Sequence, residues 1–183
     1  MKHRTAIIAG VVAVALGALV LLFATSPSGD DTSTSKDSPI EGKLAPALSG
    51  TTLDGGTFDL DKQRGTWVLV NFFATWCPPC VQEHPELVKF SQESAGTAQV
   101  VSVAFDDTPD KITEFFAQNG GDWPVLANDT GDASIDFGVV KLPESFLVNP
   151  EGTVVKKLAG GVTAAELEQI IADEGGSTAP SGG

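Results

Sequence analysis

The sequence predicts an α/β domain in which a central mixed β-sheet has helices on both sides. Residues 67–74 form an apolar run rich in β-branched and aromatic residues, typical of a buried strand, and a helix follows it. A second apolar strand is predicted at residues 99–105. Later in the chain, a strand hairpin at residues 144–157 precedes a final helix capped by Thr163. This β-α-β order followed by β-β-α is typical of a mixed sheet covered by helices.

Shorter elements complete the predicted domain. Two extended runs around an Asp-Gly-Gly turn indicate a hairpin at residues 48–60. Thr108 and Pro109 begin an amphipathic helix, and the Asn-Gly-Gly run at residues 119–121 ends it. Two tryptophans are assigned to the core: Trp67 and Trp123.

An N-terminal segment predicts attachment to a membrane. Residues 6–24 are uncharged and mostly apolar, and as a helix they would span about 28 Å, close to the ~30 Å hydrocarbon core of a bilayer. Basic residues within residues 1–5 place that end in the cytoplasm and the rest of the chain outside. The alternative is a cleaved signal peptide, although its cleavage site is weak and its apolar region long.

The remaining organisation follows from composition. Residues 25–43 are polar and rich in Ser, Thr and Asp, which predicts a flexible linker. Residues 44–174 form one domain, long enough for a substantial core. Residues 175–183 are a Gly/Ser/Pro tail predicted to be disordered. The net charge of −13 excludes nucleic acid as a reasonable ligand.

The chain has two cysteines, Cys77 and Cys80, at the junction between the predicted strand and helix. A Cys-x-x-Cys at such a junction indicates redox chemistry, because a four-thiolate zinc site would need a second pair. The N-terminus of a helix stabilises a thiolate, so Cys77 is predicted to be the attacking, exposed thiol. Cys80 lies on the same helical face and is predicted to resolve the mixed disulfide.

The two residues between the cysteines are both proline. Pro78 suits the first helical turn, where its missing N–H would go unpaired. Pro78 and Pro79 together remove two N–H donors that could stabilise the Cys77 thiolate. We therefore predict a reductant, since strong oxidants such as DsbA, at about −120 mV, have a stabilised reduced form.

Three neighbouring side chains are candidates for supporting roles. Glu83, one turn after Cys80, is either the general base that takes the Cys80 proton or a solvated helix carboxylate. Asn71, inside an apolar strand, needs a buried partner and has a functional or a purely structural role. Trp76 is either an apolar contact platform for a substrate or a packing residue.

Residues 68–85 (VLVNFFATWCPPCVQEHP) resemble the active-site region of the TlpA/ResA/CcmG group, which are membrane-tethered thiol–disulfide oxidoreductases with the thioredoxin fold. Asn71 stands where that group has Asn, and Glu83 matches its helix glutamate. Residues 137–152 (FGVVKLPESFLVNPEG) resemble the segment that holds the group's cis-proline, which maps onto Pro143. The resemblance covers roughly residues 43–173 and implies a thioredoxin-like fold with a central helix–strand insertion.

The resemblance also implies a site and partners. The implied cis Leu142–Pro143 bond has as its alternative a trans proline at the start of an edge strand. Because proline lacks an N–H donor, Pro143 would leave the backbone of Leu142 free to pair with an extended substrate near Cys77. The implied client is apocytochrome c, and the implied electron donor is a membrane protein of the CcdA/DsbD type. The redox centre is then the Cys77–Cys80 disulfide itself, without cofactor or metal, in a monomer.

Three other functions are compatible with parts of the sequence. An oxidase or isomerase would run the same exchange in the opposite direction. A peroxidase would need an Arg and a Thr near its cysteine, whereas the domain's one Arg is Arg64 and Thr75 precedes the pair. A copper-binding module would use both cysteines and His84, although His84 is interpreted first as a surface helix residue.

Overall fold

The computed structural model describes residues 39–127 and 131–177. The strands in these ranges are β1 Ser49–Thr51, β2 Thr57–Asp59, β3 Trp67–Phe73, β4 Ala98–Ala104, β5 Val125–Leu126, β6 Glu144–Val148 and β7 Val154–Ala159. The α-helices are α1 Pro78–Glu93, α2 Pro109–Asn119, α3 Asp132–Asp136 and α4 Ala164–Ser177. A short 3₁₀ helix, Leu60–Gln63, follows β2. No helix in the described ranges is both long and apolar enough to cross a bilayer, and residues 6–24 lie outside them.

The main sheet is mixed, as predicted. Within the described residues it has five strands in the order β5-β4-β3-β6-β7. The central strand β3 runs parallel to β4 and antiparallel to β6. Strands β1 and β2 form a separate antiparallel hairpin, with Gly50 opposite Phe58. The arrangement confirms the predicted thioredoxin-like architecture.

The alternating side chains of β3 divide the core into two layers. Val68, Val70 and Phe72 face the N-terminal hairpin and α3, where the Phe72 ring lies 5.3 Å from that of Phe137. Leu69 and the other odd-numbered residues of β3 face the opposite layer, which contains the buried sides of α1, α2 and α4. Both faces of β3 are therefore covered, which explains why its sequence is almost continuously apolar.

The ordered domain extends beyond its predicted limits at both ends. The Gly42 N–H donates to the Val154 carbonyl at 2.8 Å, and the Lys157 N–H donates to Glu41 Oε1 at 2.6 Å. Ile40 packs against the core, so residues 40–43 belong to the domain rather than to the linker. At the other end α4 continues to Ser177, beyond the predicted start of the tail at Gly175. The rest of the predicted linker and tail lies outside the described residues.

Candidate active site

The two cysteines lie where β3 leads into α1, as the sequence predicts. Cys77 is the N-cap residue of α1, with an extended backbone, and its N–H donates to the Ala74 carbonyl at 3.2 Å. Pro78 and Pro79 occupy the first positions of the helix. Cys77 and Cys80 form a disulfide with 5.3 Å between their Cα atoms. The protein is therefore described in its oxidised state.

The prediction that Cys77 is exposed is wrong for this state. Cys77 is 4% exposed and Cys80 5%, because both side chains pack into the core layer beneath α1. Three large apolar side chains on neighbouring segments are exposed instead: Trp76 at 55%, Val81 at 39% and Phe105, whose N–H donates to the Phe73 carbonyl, at 38%. The disulfide is thus enclosed, while apolar side chains of neighbouring segments face solvent.

The segment immediately before Cys77 is attached to the loop that follows β4. The Asp107 carboxylate accepts hydrogen bonds from Thr75, and the Trp76 indole N–H donates to the Asp106 carbonyl at 2.9 Å. Asp106 has φ 48°, a left-handed conformation that is uncommon for a residue with a side chain. These contacts hold Trp76 in place while its ring remains largely exposed. The sequence did not identify Asp106 or Asp107.

Glu83 is a buried carboxyl and not a solvated one. It is 4% exposed, and its Oε1 has no hydrogen-bond partner among the described residues. Burial raises the pKa of Glu83 from 4.5 to about 7, while the Val162 backbone N–H and the Asn71 side chain act in the opposite direction. A carboxyl with this pKa both accepts and releases a proton near neutral pH. Its place three residues after Cys80 on the buried side of α1 suits the predicted base.

Asn71 has the buried partners that its position required. Its Nδ2 donates to Ser145 Oγ at 3.0 Å, and its Oδ1 accepts from Ser102 Oγ at 3.5 Å. The two serines stand opposite Asn71 in the neighbouring strands β6 and β4. Asn71 thus links β3 through its side chain to both neighbouring strands.

The structure gives His84 and Arg64 positions that do not suit the alternative functions. His84 is 3% exposed rather than on the surface, and its Nε2–H donates to the Gly120 carbonyl at 2.8 Å. Arg64 precedes β3 and bonds to Asp61 and the Glu151 carbonyl, so seven residues of strand separate it from the Cys77 end. Within the described ranges, His, Cys, Asp and Glu form no group of three or more that could hold a metal ion.

Pro143 follows a cis peptide bond from Leu142. The Leu142 side chain packs against the core cluster that contains both cysteines. In the described part of the chain, no hydrogen bond uses the backbone N–H or carbonyl of Leu142. Its backbone is therefore available to pair with an extended segment, as the sequence prediction requires.

A buried ion pair holds the loop before Pro143. Lys157 Nζ lies 3.0 Å from Glu144 Oε2, and the exposed fractions of the two side chains are 15% and 4%. Glu144 also accepts the Val140 N–H at 2.9 Å, while Lys157 donates to the Gly138 carbonyl at 2.8 Å. The pair fixes two points of the chain that leads to Leu142. Sequence reasoning missed it because the partners are on different strands.

A disulfide of this spacing at the start of a helix, on a thioredoxin-like sheet, defines the class of thiol–disulfide oxidoreductases. Such enzymes exchange electrons through the disulfide itself rather than through a separate cofactor. The chain belongs to the redoxin family, whose model matches residues 40–171. This confirms the resemblance found in the sequence.

Named relatives agree with this assignment. The chain is 35% identical over 135 residues to the thiol:disulfide interchange protein HelX of Rhodobacter capsulatus, covering 72% of this chain and 75% of HelX. It is 34% identical over 132 residues to the thiol-disulfide oxidoreductase ResA of Bacillus anthracis, covering 71% and 76%. The solved thiol:disulfide interchange protein of Chlorobium tepidum superposes with a TM-score of 0.64 at 29% identity, over 71% of this chain and 94% of that one.

Proposed function

We propose that this oxidoreductase is anchored in a membrane and reduces disulfides of client proteins outside the cytoplasm. We propose apocytochrome c as its client. The observation that carries the proposal is the Glu83 carboxyl, which is buried one turn after Cys80 and has one oxygen without a hydrogen-bond partner in the part of the chain that the structure describes. In the step that resolves a mixed disulfide, a buried thiol has to lose its proton. Glu83 supplies a base at that place.

The exchange consists of two displacements. The Cys77 thiolate attacks a client disulfide, a Cys77–client bond forms, and one client thiolate leaves. Cys80 then transfers its proton to Glu83 and attacks the Cys77 sulfur, which releases the second client thiolate. Two electrons pass to the client, and the product is the Cys77–Cys80 disulfide seen here. A membrane electron donor of the CcdA/DsbD type then reduces this disulfide for the next cycle.

Client binding uses the exposed surroundings of the disulfide. The free backbone of Leu142 pairs with an extended client segment, and Trp76 provides an apolar contact beside Cys77. An apocytochrome segment with the pattern Cys-x-x-Cys-His fits this mode because it is unfolded before haem attachment. The location outside the cytoplasm follows from the apolar segment at residues 6–24 and the charges before it.

A trapping experiment tests the client. In a Cys80→Ser variant of the full chain the second displacement is blocked, so the mixed disulfide with Cys77 accumulates and its partner can be identified. We expect apocytochromes c in the membrane fraction. A broad set of secreted proteins would instead support an oxidase or isomerase. A Cys77→Ser variant is the matched control and should trap none of these partners.

A purified system tests the direction of exchange. The reduced protein is mixed with an oxidised Cys-x-x-Cys-His peptide, and the peptide thiols are counted over time. We expect wild type to release both peptide thiols, Cys80→Ser to stop at one, and Cys77→Ser to release none. If the oxidised protein instead oxidises the reduced peptide to completion, the proposed direction is wrong.

A further inference from the structure

A row of three buried polar residues crosses the middle of the main sheet. Ser102 on β4, Asn71 on β3 and Ser145 on β6 are register partners, and each is at most 2% exposed. The positions on either side of Asn71 in β3 are apolar and buried. Because an unpaired polar group is costly in such a place, the hydrogen bonds along this row determine how its side chains are oriented.

The row begins at a tryptophan. The Trp123 indole Nε1–H donates to Ser102 Oγ at 2.8 Å, and Ser102 Oγ lies 3.5 Å from Asn71 Oδ1. A serine hydroxyl can donate or accept in either direction, but an indole N–H can only donate. Ser102 therefore accepts from Trp123 and turns its own hydrogen towards Asn71. The Trp123 N–H occupies one acceptor position of Ser102 and so favours this direction of the row.

The direction of these hydrogen bonds determines how the Asn71 amide is oriented. Its oxygen faces the Ser102 hydroxyl, so its NH2 group faces the other way, where one N–H donates to Ser145 Oγ at 3.0 Å. The Asn71 side chain also lowers the pKa of the buried Glu83 carboxyl, which agrees with an NH2 group that faces this carboxyl. A reversed amide would turn its oxygen towards the carboxylate, which would disfavour the ionised carboxylate.

We propose that Trp123 and Ser102 are positioning residues for disulfide exchange, because they fix the Asn71 amide with its N–H groups towards Glu83. Neither residue touches the sulfur atoms, so both act through Asn71. The inference rests on the proposed function, in which Glu83 is the base for Cys80. It assigns a role in the reaction to a tryptophan that the sequence placed only in the core.

Two groups lower the pKa of Glu83, the Val162 backbone N–H first and the Asn71 side chain second. On the same helix, His84 donates to the Gly120 carbonyl, and Glu86 accepts the Ala164 N–H at 3.0 Å. From the segment before α4, the Val162 backbone N–H acts on Glu83. No charged side chain of the described residues contributes to its pKa. Among the side chains of residues 39–127 and 131–177, the Asn71 amide is therefore the one that favours the ionised form of Glu83.

A titration of the oxidised full-length protein tests the inference without any client. The pKa of Glu83 is measured from its carboxyl carbon by NMR in wild type, Trp123→Phe and Ser102→Ala. We expect both variants to raise this pKa by about half a unit to one unit, since the amide loses its fixed direction. The pH midpoint of the Cys80 resolution step, measured from a preformed mixed disulfide, should rise by the same amount.

Trp67→Phe is the matched control. Trp67 is as buried as Trp123, at 8% exposed, and lies in the same core layer, but it donates to no residue of the row. The Trp67→Phe variant should lose about as much stability as Trp123→Phe and leave the pKa of Glu83 unchanged. Combining Trp123→Phe with Asn71→Ala should give no shift beyond that of Asn71→Ala alone, because both changes act through one amide.

Three results would overturn the inference: an unchanged Glu83 pKa in both Trp123→Phe and Ser102→Ala, an equal shift in Trp67→Phe, or additive shifts in the double variant. Ser102→Ala keeps the test valid if Trp123→Phe does not fold. Failure of the proposed function has a different signature. In that case Glu83→Gln resolves mixed disulfides at the wild-type rate, whereas the NMR titration still reports on the row.

Discussion

Both the backbone N–H and the hydroxyl of Thr75 donate to one oxygen of the Asp107 carboxylate, at 2.7 and 2.6 Å. This contact joins the residues just before Cys77 to the loop after β4. Burial by itself would raise the pKa of Asp107, but hydrogen bonds from Thr75 and Thr108 and the charge of Lys111 hold it below its usual value. The carboxylate is therefore ionised, and the contact intact, throughout the neutral range.

Removing this carboxylate should loosen the Trp76 segment. We expect Asp107→Ala to destabilise the protein by about 1–2 kcal/mol, since the two donors of Thr75 and the Thr108 N–H lose a charged acceptor. Urea denaturation measures the loss, and faster quenching of Trp76 fluorescence by acrylamide reports the greater mobility. The exposed Asp122 provides a control, because Asp122→Ala should change neither quantity. An Asp107→Ala variant with wild-type stability and quenching would show that the contact has no structural role.

Glu83→Gln should slow the second displacement and spare the first. The first requires the Cys77 thiolate, whereas the second requires Cys80 to lose a proton to a base that Gln cannot replace. We expect resolution of a mixed disulfide to slow by about 10²-fold or more near pH 7. Stopped-flow measurement on a preformed Cys77–client disulfide separates the two steps. Equal slowing of both steps would argue against the assigned role.

The same carboxyl makes stability depend on pH in a defined direction. Its pKa is raised from 4.5 to about 7 on folding, so between these values the folded protein holds a proton that the unfolded chain has released. The contribution of Glu83 to the free energy of unfolding is therefore greatest below pH 4.5 and decreases as pH rises towards 7. The full effect on the free energy of unfolding is about 3 kcal/mol, because each unit of pKa shift corresponds to about 1.36 kcal/mol.

Comparing wild type with Glu83→Gln isolates this effect, because all other titrating groups are shared. The free energy of unfolding of the oxidised proteins is measured by urea denaturation from pH 4 to pH 8. We expect the variant to gain stability relative to wild type as pH rises. If the free energies of unfolding of wild type and Glu83→Gln change in parallel with pH, the Glu83 carboxyl is solvated in solution.

Removing one partner of the Glu144–Lys157 ion pair should strongly destabilise the protein. Glu144→Ala leaves the largely buried Lys157 uncompensated and frees the Val140 N–H, so we expect a loss of about 3–5 kcal/mol. The exposed Lys89–Glu93 pair is a contrasting control, and Lys89→Ala should cost only about 0.5 kcal/mol or less. Similar losses for the two variants would contradict the burial of Glu144 and Lys157.

The sequence predicted the parts of the site that depend on local order. A strand, two cysteines and a proline-initiated helix are consecutive, and the proline of the second motif precedes a strand, so Cys77 and Pro143 were placed correctly. Their mutual arrangement follows from the sheet, in which β6 lies next to β3. Periodicity and turn residues thus predicted the framework.

The environment of each polar side chain was harder to predict, because it depends on contacts between distant strands. His84 was assigned to the surface and Glu83 left open between solvent and site. Both lie on one stripe of α1 with Cys80, Leu87 and Phe90, a spacing of three to four residues that marks the buried side of a helix. That spacing was the available signal. Nothing local indicated that Trp123 would meet Ser102.

The reduction potential of the Cys77–Cys80 pair decides whether this protein is a reductant. The protein is equilibrated in thiol–disulfide buffers of known potential, and its oxidised fraction is measured by thiol labelling. We expect a value close to the roughly −270 mV of thioredoxin, since Pro78 and Pro79 deprive the thiolate of two N–H donors. A value near the roughly −120 mV of DsbA would instead mean that the protein introduces disulfides.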